Sequence, residues 1–222
     1  MMGRIGVFAT ALAIAALWMC PAAAIDEAQM EADGWIKLFN EEDVSGWRHA
    51  RNADADVTWF VDPEDNSLTN EGDDGHNLAT EDQWRDFEIM IDYRIPPGGN
   101  SGVYLRGRVE IQILDSSEQE TPRPGDDGAI YNQAPPKVLA SSPIGEWNTL
   151  HAKYVENRIT ATLNGVLIHD EQEVNEVTGG AMPGGVNEAG PIMLQGDHGK
   201  VWFRNIWLRP LDEDGEAPAD GA

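Results

Sequence analysis

From Asn100 to Asp115 the chain reads NSGVYLRGRVEIQILD, an alternation of apolar and polar residues with a period of two. That period fits a half-buried β-strand, because successive side chains of a strand point to opposite faces. Val103, Leu105, Val109, Ile111 and Ile113 fall on one face; Tyr104, Arg106, Arg108, Glu110 and Gln112 fall on the other. A face turned only to water rarely carries a ring, two guanidiniums, a carboxylate and an amide in one row. A polyhydroxylated ligand needs such groups, so the expectation is a sugar-type site on the polar face of a sheet.

The rest of the chain agrees with a sheet protein. Short runs of Val, Ile, Thr, Tyr, Phe and Trp are separated by Gly, Pro, Asn and Asp. The runs predict strands at Thr58–Val61, Ser67–Thr69, Asp86–Arg94, Gly102–Leu114, Asn148–Glu156, Arg158–Leu163, Val166–Asp170, Gly190–Gln195 and Val201–Leu208. Asn164-Gly165, between ITATL and VLIHD, predicts a type I′ hairpin, whose two central residues need positive φ. No amphipathic helical stretch competes, and no internal repeat is visible. The fold class is therefore all-β, a two-sheet sandwich of jelly-roll type. Two long segments lack a period. Asp115–Glu146 holds Pro122, Pro124, Pro135, Pro136 and Pro143, so it is neither helix nor central strand. Ile130 and Tyr131 within it should pack on something, either as a lid beside the 100–115 strand or as a surface excursion. Glu171–Ala189 is Gly-rich and polar. Trp35, Trp47 and Trp147 read as core.

The first 24 residues read as a signal peptide: a basic Arg4, an apolar run from Val7 to Met19, and Ala22-Ala23-Ala24 before the expected cleavage. Trp18 and Met19 are too large for a lipobox before Cys20. Periplasmic or secreted export is expected, with no membrane association after cleavage. Ile25–Asp33 is an acidic lead-in, residues 34–211 form one domain, and the acidic tail 212–222 reads as disordered. Cys20 is the only cysteine and leaves with the signal, so no disulfide, thiolate metal site or cysteine nucleophile is available. The formal charge of −24 excludes general nucleic-acid binding and argues against a polyanionic ligand.

Six motifs then stand in one order: GWIKLFNEEDVSGW, NSGVYLRGRVEIQILD, GAIY at 128–131, GEWNT at 145–149, LNG at 163–165 and LQGDHGKVWFRNIWLRP. Together they closely resemble the 3-keto-disaccharide hydrolase domain family, long catalogued as a domain of unknown function, from about Gly34 to Pro210. The resemblance implies a concanavalin-A-like β-sandwich. It also implies an oxidised saccharide or glycoside substrate, cleaved by elimination across C1 and C2 of a sugar that is a ketone at C3, with hydration giving net hydrolysis. A sugar 3-dehydrogenase would then act upstream.

A C3 ketone acidifies the C2 proton, so the chemistry needs a base near C2, a donor at the C3 oxygen and an acid at the leaving oxygen. Glu110 is the first candidate for proton transfer; its alternative is an ion pair with Arg106 or Arg108. His198, in the glycine-flanked turn GDHG, is the second. Arg106 could stabilise the enolate oxygen or bind a hydroxyl. Gln112 and Gln195 would bind hydroxyls, Tyr104 could stack on the sugar, and Tyr131 joins the binding set. Arg204, in FRNI, is either a ligand residue or an ion partner on a sheet face. VEIQILD also resembles the active strand of retaining β-glucanases, but Gln112 and Leu114 stand where that strand needs carboxylates, and Asp115 is out of phase. An ordinary retaining glycosidase is disfavoured. His49, His76, His151 and His169 read as surface or structural. No cofactor is expected. Asp73-Asp74-Gly75-His76 and Asp126-Asp127-Gly128 offer oxygen ligands without calcium-loop spacing, which leaves a divalent metal open. A non-catalytic carbohydrate-binding module and an interaction domain of an envelope complex are the competing readings.

Overall fold

The computed structural model describes residues 26–72, 75–212 and 214–217. The expected signal segment, the cysteine, Asp73, Asp74 and the end of the acidic tail lie outside them. Within the described residues a single helix, α1 (Glu27–Ala32), lies in the acidic lead-in, where no helix was expected; Asp26 caps it by accepting from the Gln29 N–H at 3.3 Å. No helix there is long and apolar enough to cross a membrane. The strands in chain order are β1 (Ile36–Lys37), β2 (Trp47–His49), β3 (Phe60–Val61), β4 (Leu68–Thr69), β5 (Leu78–Thr80), β6 (Phe87–Arg94) and β7 (Asn100–Leu105). They continue as β8 (Val109–Leu114), β9 (Asn148–Val155), β10 (Arg158–Leu163), β11 (Val166–Glu173), β12 (Met193–Leu194) and β13 (Trp202–Pro210).

They form two antiparallel sheets. The larger runs β11-β10-β9-β6-β13-β4-β3, with β1 also pairing β13 through Ile36↔Leu208 and Lys37↔Trp207. The smaller runs β2-β5-β12-β7-β8. Period-two alternation puts Ile89, Ile91 and Leu150 of one sheet against Val103, Ile111 and Ile113 of the other, all essentially without exposure. Removing this apolar surface from water is the main force joining the layers. The expected two-sheet β-sandwich is what the chain forms. β13 keeps Phe203, Ile206 and Leu208 in that core by a bulge: Asn205 sits at φ 50°, and the register slips between Arg204 and Trp207.

The 100–115 run is not one strand but the β7–β8 hairpin. Arg106 (φ 54°) and Gly107 (φ 66°) take the two left-handed positions, and the Arg108 N–H bonds the Leu105 C=O at 3.0 Å. Asn164 (φ 53°) and Gly165 (φ 77°) make the expected turn between β10 and β11. Trp47 lies in the core, whereas Trp35 and Trp147 are half-exposed. Trp147 lies between guanidiniums, Arg94 at 4.7 Å and Arg204 at 4.0 Å from its ring centre.

Candidate active site

The outward side chains of the smaller sheet build a polar floor. Antiparallel register sets Ala79, Met193, Tyr104 and Glu110 side by side across β5, β12, β7 and β8. The neighbouring rung holds Gly102 paired with Gln112; Gln195, just past β12, donates its N–H to the Gly102 C=O at 2.9 Å. Above this floor is a cavity of about 260 Å³ lined by Asn77, Asn100, Tyr104, Glu110, Gln112, Tyr131, Gly179, Gly180, Gln195, Asp197 and His198. Six of the eight residues singled out in the sequence share it: Tyr104, Glu110, Gln112, Tyr131, Gln195 and His198.

The other two do not. Arg106 occupies the hairpin turn, so strand alternation no longer sets its direction. Its fully buried guanidinium crosses to the larger sheet, bonding Asp86 Oδ1 at 3.0 Å and the carbonyls of Glu156 and Val186 at 2.7 Å, 3.6 Å from the Tyr154 ring centre. Arg204 lies on the larger sheet, its Nε 3.3 Å from Asp92 Oδ2; the ion-pair alternative describes its place. Arg108 also leaves the row. Its guanidinium donates to the carbonyls of Pro183, Glu188, Ala189 and Arg106 at 2.9–3.2 Å.

Glu110 is thus left without a basic partner from its own hairpin. It is 2 % exposed, and burial pushes its carboxyl up to about 7. The Tyr104 hydroxyl and His198 oppose that rise, while Asp197 adds to it. The Tyr104 hydroxyl donates to the Gly179 C=O at 2.7 Å, and its ionisation is raised by the same burial. His198 is exposed at the rim, its Nδ1 2.7 Å from Asp197 Oδ1.

The carboxamides are oriented by their partners. Gln112 Nε2 donates to Asn100 Oδ1 at 3.0 Å, and Asn77 Oδ1 accepts from the Gly196 N–H at 3.0 Å. Each asparagine therefore keeps its amide N–H donors for whatever occupies the cavity. Among the described lining residues none is Lys or Arg. Nor do the described residues contain a group of three His, Cys, Asp or Glu able to hold a metal.

Two irregular segments complete the walls. The 115–146 segment runs along β8: Gln112 donates its N–H to the Ala129 C=O at 2.9 Å and accepts from the Gly128 N–H at 2.8 Å, and the Tyr131 N–H bonds the Glu110 C=O at 3.1 Å. It is a fixed side wall that presents Tyr131 rather than a surface excursion. Beside it, along the same edge of β8, residues 178–189 form a strap. Thr178 Oγ accepts from the Glu110 N–H and donates to the Arg108 C=O, both at 3.1 Å. Sequence reasoning missed Asn77, Asn100, Asp197 and the strap glycines. Asn100 continues the Gly102–Tyr104 parity and was within reach of the same period, and Asp197 stands in the same GDHG turn as His198; Asn77 and the strap glycines carry no local signal.

A second cavity, about 310 Å³, opens at one end of the sandwich beside Ile95, Leu139 and Ile144. Its buried carboxyl, Asp127, is committed to the Tyr93 and Ser141 hydroxyls and the Leu114 N–H. Burial raises Asp127 to about 6, but its oxygens are taken by those three donors, whereas the first cavity sets its raised carboxyl beside a histidine and free amides.

Residues 34–209 match the family model described as a 3-keto-alpha-glucoside-1,2-lyase-like domain. A protein of Bacteroides thetaiotaomicron named 3-keto-disaccharide hydrolase is 26% identical over 246 residues, covering 86% of this chain and 84% of that protein. A solved structure from Parabacteroides distasonis, given as a "putative glycosyl hydrolase", superposes with a TM-score of 0.65 at 29% identity over 80% of this chain and 84% of that one. Another from the same organism, under the same description, has a TM-score of 0.69 at 23% identity, covering 83% and 97% of the two chains.

Proposed function

This chain belongs to the 3-keto-alpha-glucoside-1,2-lyase-like domain family, and on that premise we propose that it cleaves glycosides whose sugar is already a ketone at C3. The observation that carries the reading is a buried carboxyl poised near neutrality, Glu110, on a floor of uncharged hydrogen-bonding groups. A carboxyl that titrates near the working pH can both take a proton and give it back.

In the proposed reaction ionised Glu110 takes the C2 proton. The C–H electron pair moves into the C3 carbonyl as an enolate. Its return forms the C1=C2 double bond and breaks the bond from C1 to the glycosidic oxygen. His198, at the rim, gives the leaving oxygen its proton. Water then adds across C1=C2, and the sum is hydrolysis. The Asn77 and Asn100 amides supply donors for the C3 oxygen and neighbouring hydroxyls, the role first expected of Arg106. Neutral donors count for more there once bound substrate takes the place of water around them. With carboxyls and no lining Lys or Arg, the site favours uncharged sugars over uronates. Export and an upstream sugar 3-dehydrogenase belong to the same proposal, since the substrate must be oxidised before it is cleaved.

The test is turnover of a 3-keto disaccharide against its unoxidised parent, with and without chelator. Only the ketone should be cleaved, and Glu110→Gln should lower the rate by about 100-fold or more. Cleavage of the parent would make this a conventional glycosidase. Binding without turnover of either would make it a carbohydrate-binding module.

A further inference from the structure

Gly102 lies in the interior of β7, where glycine is disfavoured because it brings conformational freedom and no packing. Its backbone gives no reason for the choice. It pairs regularly with Gln112, its C=O accepts from Gln195, and its φ is not in the left-handed region. The reason lies across the hairpin. Glu110 pairs with Tyr104, which makes it a diagonal neighbour of Gly102 on the cavity face, and a long side chain reaches that far. A Cβ placed on Gly102 would fall 2.2 Å from Glu110 Oε1, 2.8 Å from its Cγ and 2.9 Å from its Cδ. Those three are the atoms nearest to that position. The carboxyl of Glu110 thus lies over the bare Cα of Gly102.

We propose that Gly102 is a positioning residue, whose missing side chain is the seat that holds the Glu110 carboxyl down on the cavity floor. Any larger residue at 102 lifts the carboxyl toward the open mouth. Lifting it returns water to the group, and the burial that raises its ionisation is lost. The catalytic consequence rests on the reading of Glu110 as the proton-transfer residue; the seat itself does not.

Gly102→Ala separates the two. The Glu110 carboxyl is followed by carbon-13 NMR through a pH titration, with Glu110→Gln identifying its signal. The expected result is a folded protein in which the midpoint drops from about 7 toward the ordinary glutamate value of 4.5. Turnover of the 3-keto disaccharide falls at least tenfold while KM stays within a few-fold. An unmoved midpoint overturns the seat. A shifted midpoint with unchanged turnover supports the seat and sinks the catalytic reading of Glu110. If Gly102→Ala fails to fold, Gly102→Ala with Glu110→Ala decides the matter. That double variant should fold as well as Glu110→Ala alone, because the colliding atoms are gone. Failure of the double variant as well would show that the methyl meets something else and would overturn the proposal.

Discussion

Burying the Glu110 carboxyl costs stability wherever it is ionised. That carboxyl is raised to about 7 in the folded protein from an ordinary 4.5. Between those values the folded state binds more protons than the unfolded one, so stability falls as pH rises through the window. The penalty is complete above about 7 and absent below about 4.5. Its ceiling is roughly 3 kcal/mol. Glu110→Gln should therefore raise the melting temperature at pH 8 and leave it nearly unchanged at pH 4.5, while turnover is lost; equal melting shifts at both pH values would contradict the burial argument. Period-two reading found Glu110, Tyr104 and Gln112 because all three sit on regular strand. It failed at Arg106 because two left-handed residues end the strand there. Past that turn, the side chain's direction follows its buried partner Asp86, twenty residues away in sequence and on the other side of the core.

The strap shows a different limit of sequence reading. Residues 178–189 have no period, and their positions are fixed by partners some 70–80 residues distant, through Thr178 on β8 and the carbonyls bonded by Arg108. Nothing local could announce that. The Asn164-Gly165 hairpin, by contrast, was legible because its geometry is written in two adjacent residues. Arg108 is 7 % exposed and joins four carbonyls with one planar fork. Lysine keeps the charge but cannot span them, and buried carbonyls would lose partners. Arg108→Lys should cost about 2–4 kcal/mol and raise KM more than it lowers kcat. Hydrogen exchange should quicken in 178–189 ahead of the strands. Uniform quickening over both sheets would mean that Arg108 supports the whole sandwich rather than the strap.

At the scale of the molecule, charge and connectivity matter most. A formal −24 sets the surface against itself. Raising salt from 0.01 to 0.1 M shortens the screening length from about 30 to about 10 Å. Relief of the repulsion should lift the melting temperature by about 2–4 °C for each kcal/mol gained. A falling temperature would show that pairs such as Lys37–Glu27 and Arg94–Asp65 outweigh the repulsion. The sandwich itself was visible in the sequence, but β1, β2 and β5 were not, although β3, β4 and β12, no longer than they, lay inside expected runs. The shortest of the missed three, β1, closes the structure: Ile36 and Lys37 pair with Leu208 and Trp207 near the other end of the chain. Entry and exit thus stand side by side, like the two contacts of a plug. The whole sandwich can therefore be set into a loop of a host protein without prising that loop open, and it travels as a single cassette.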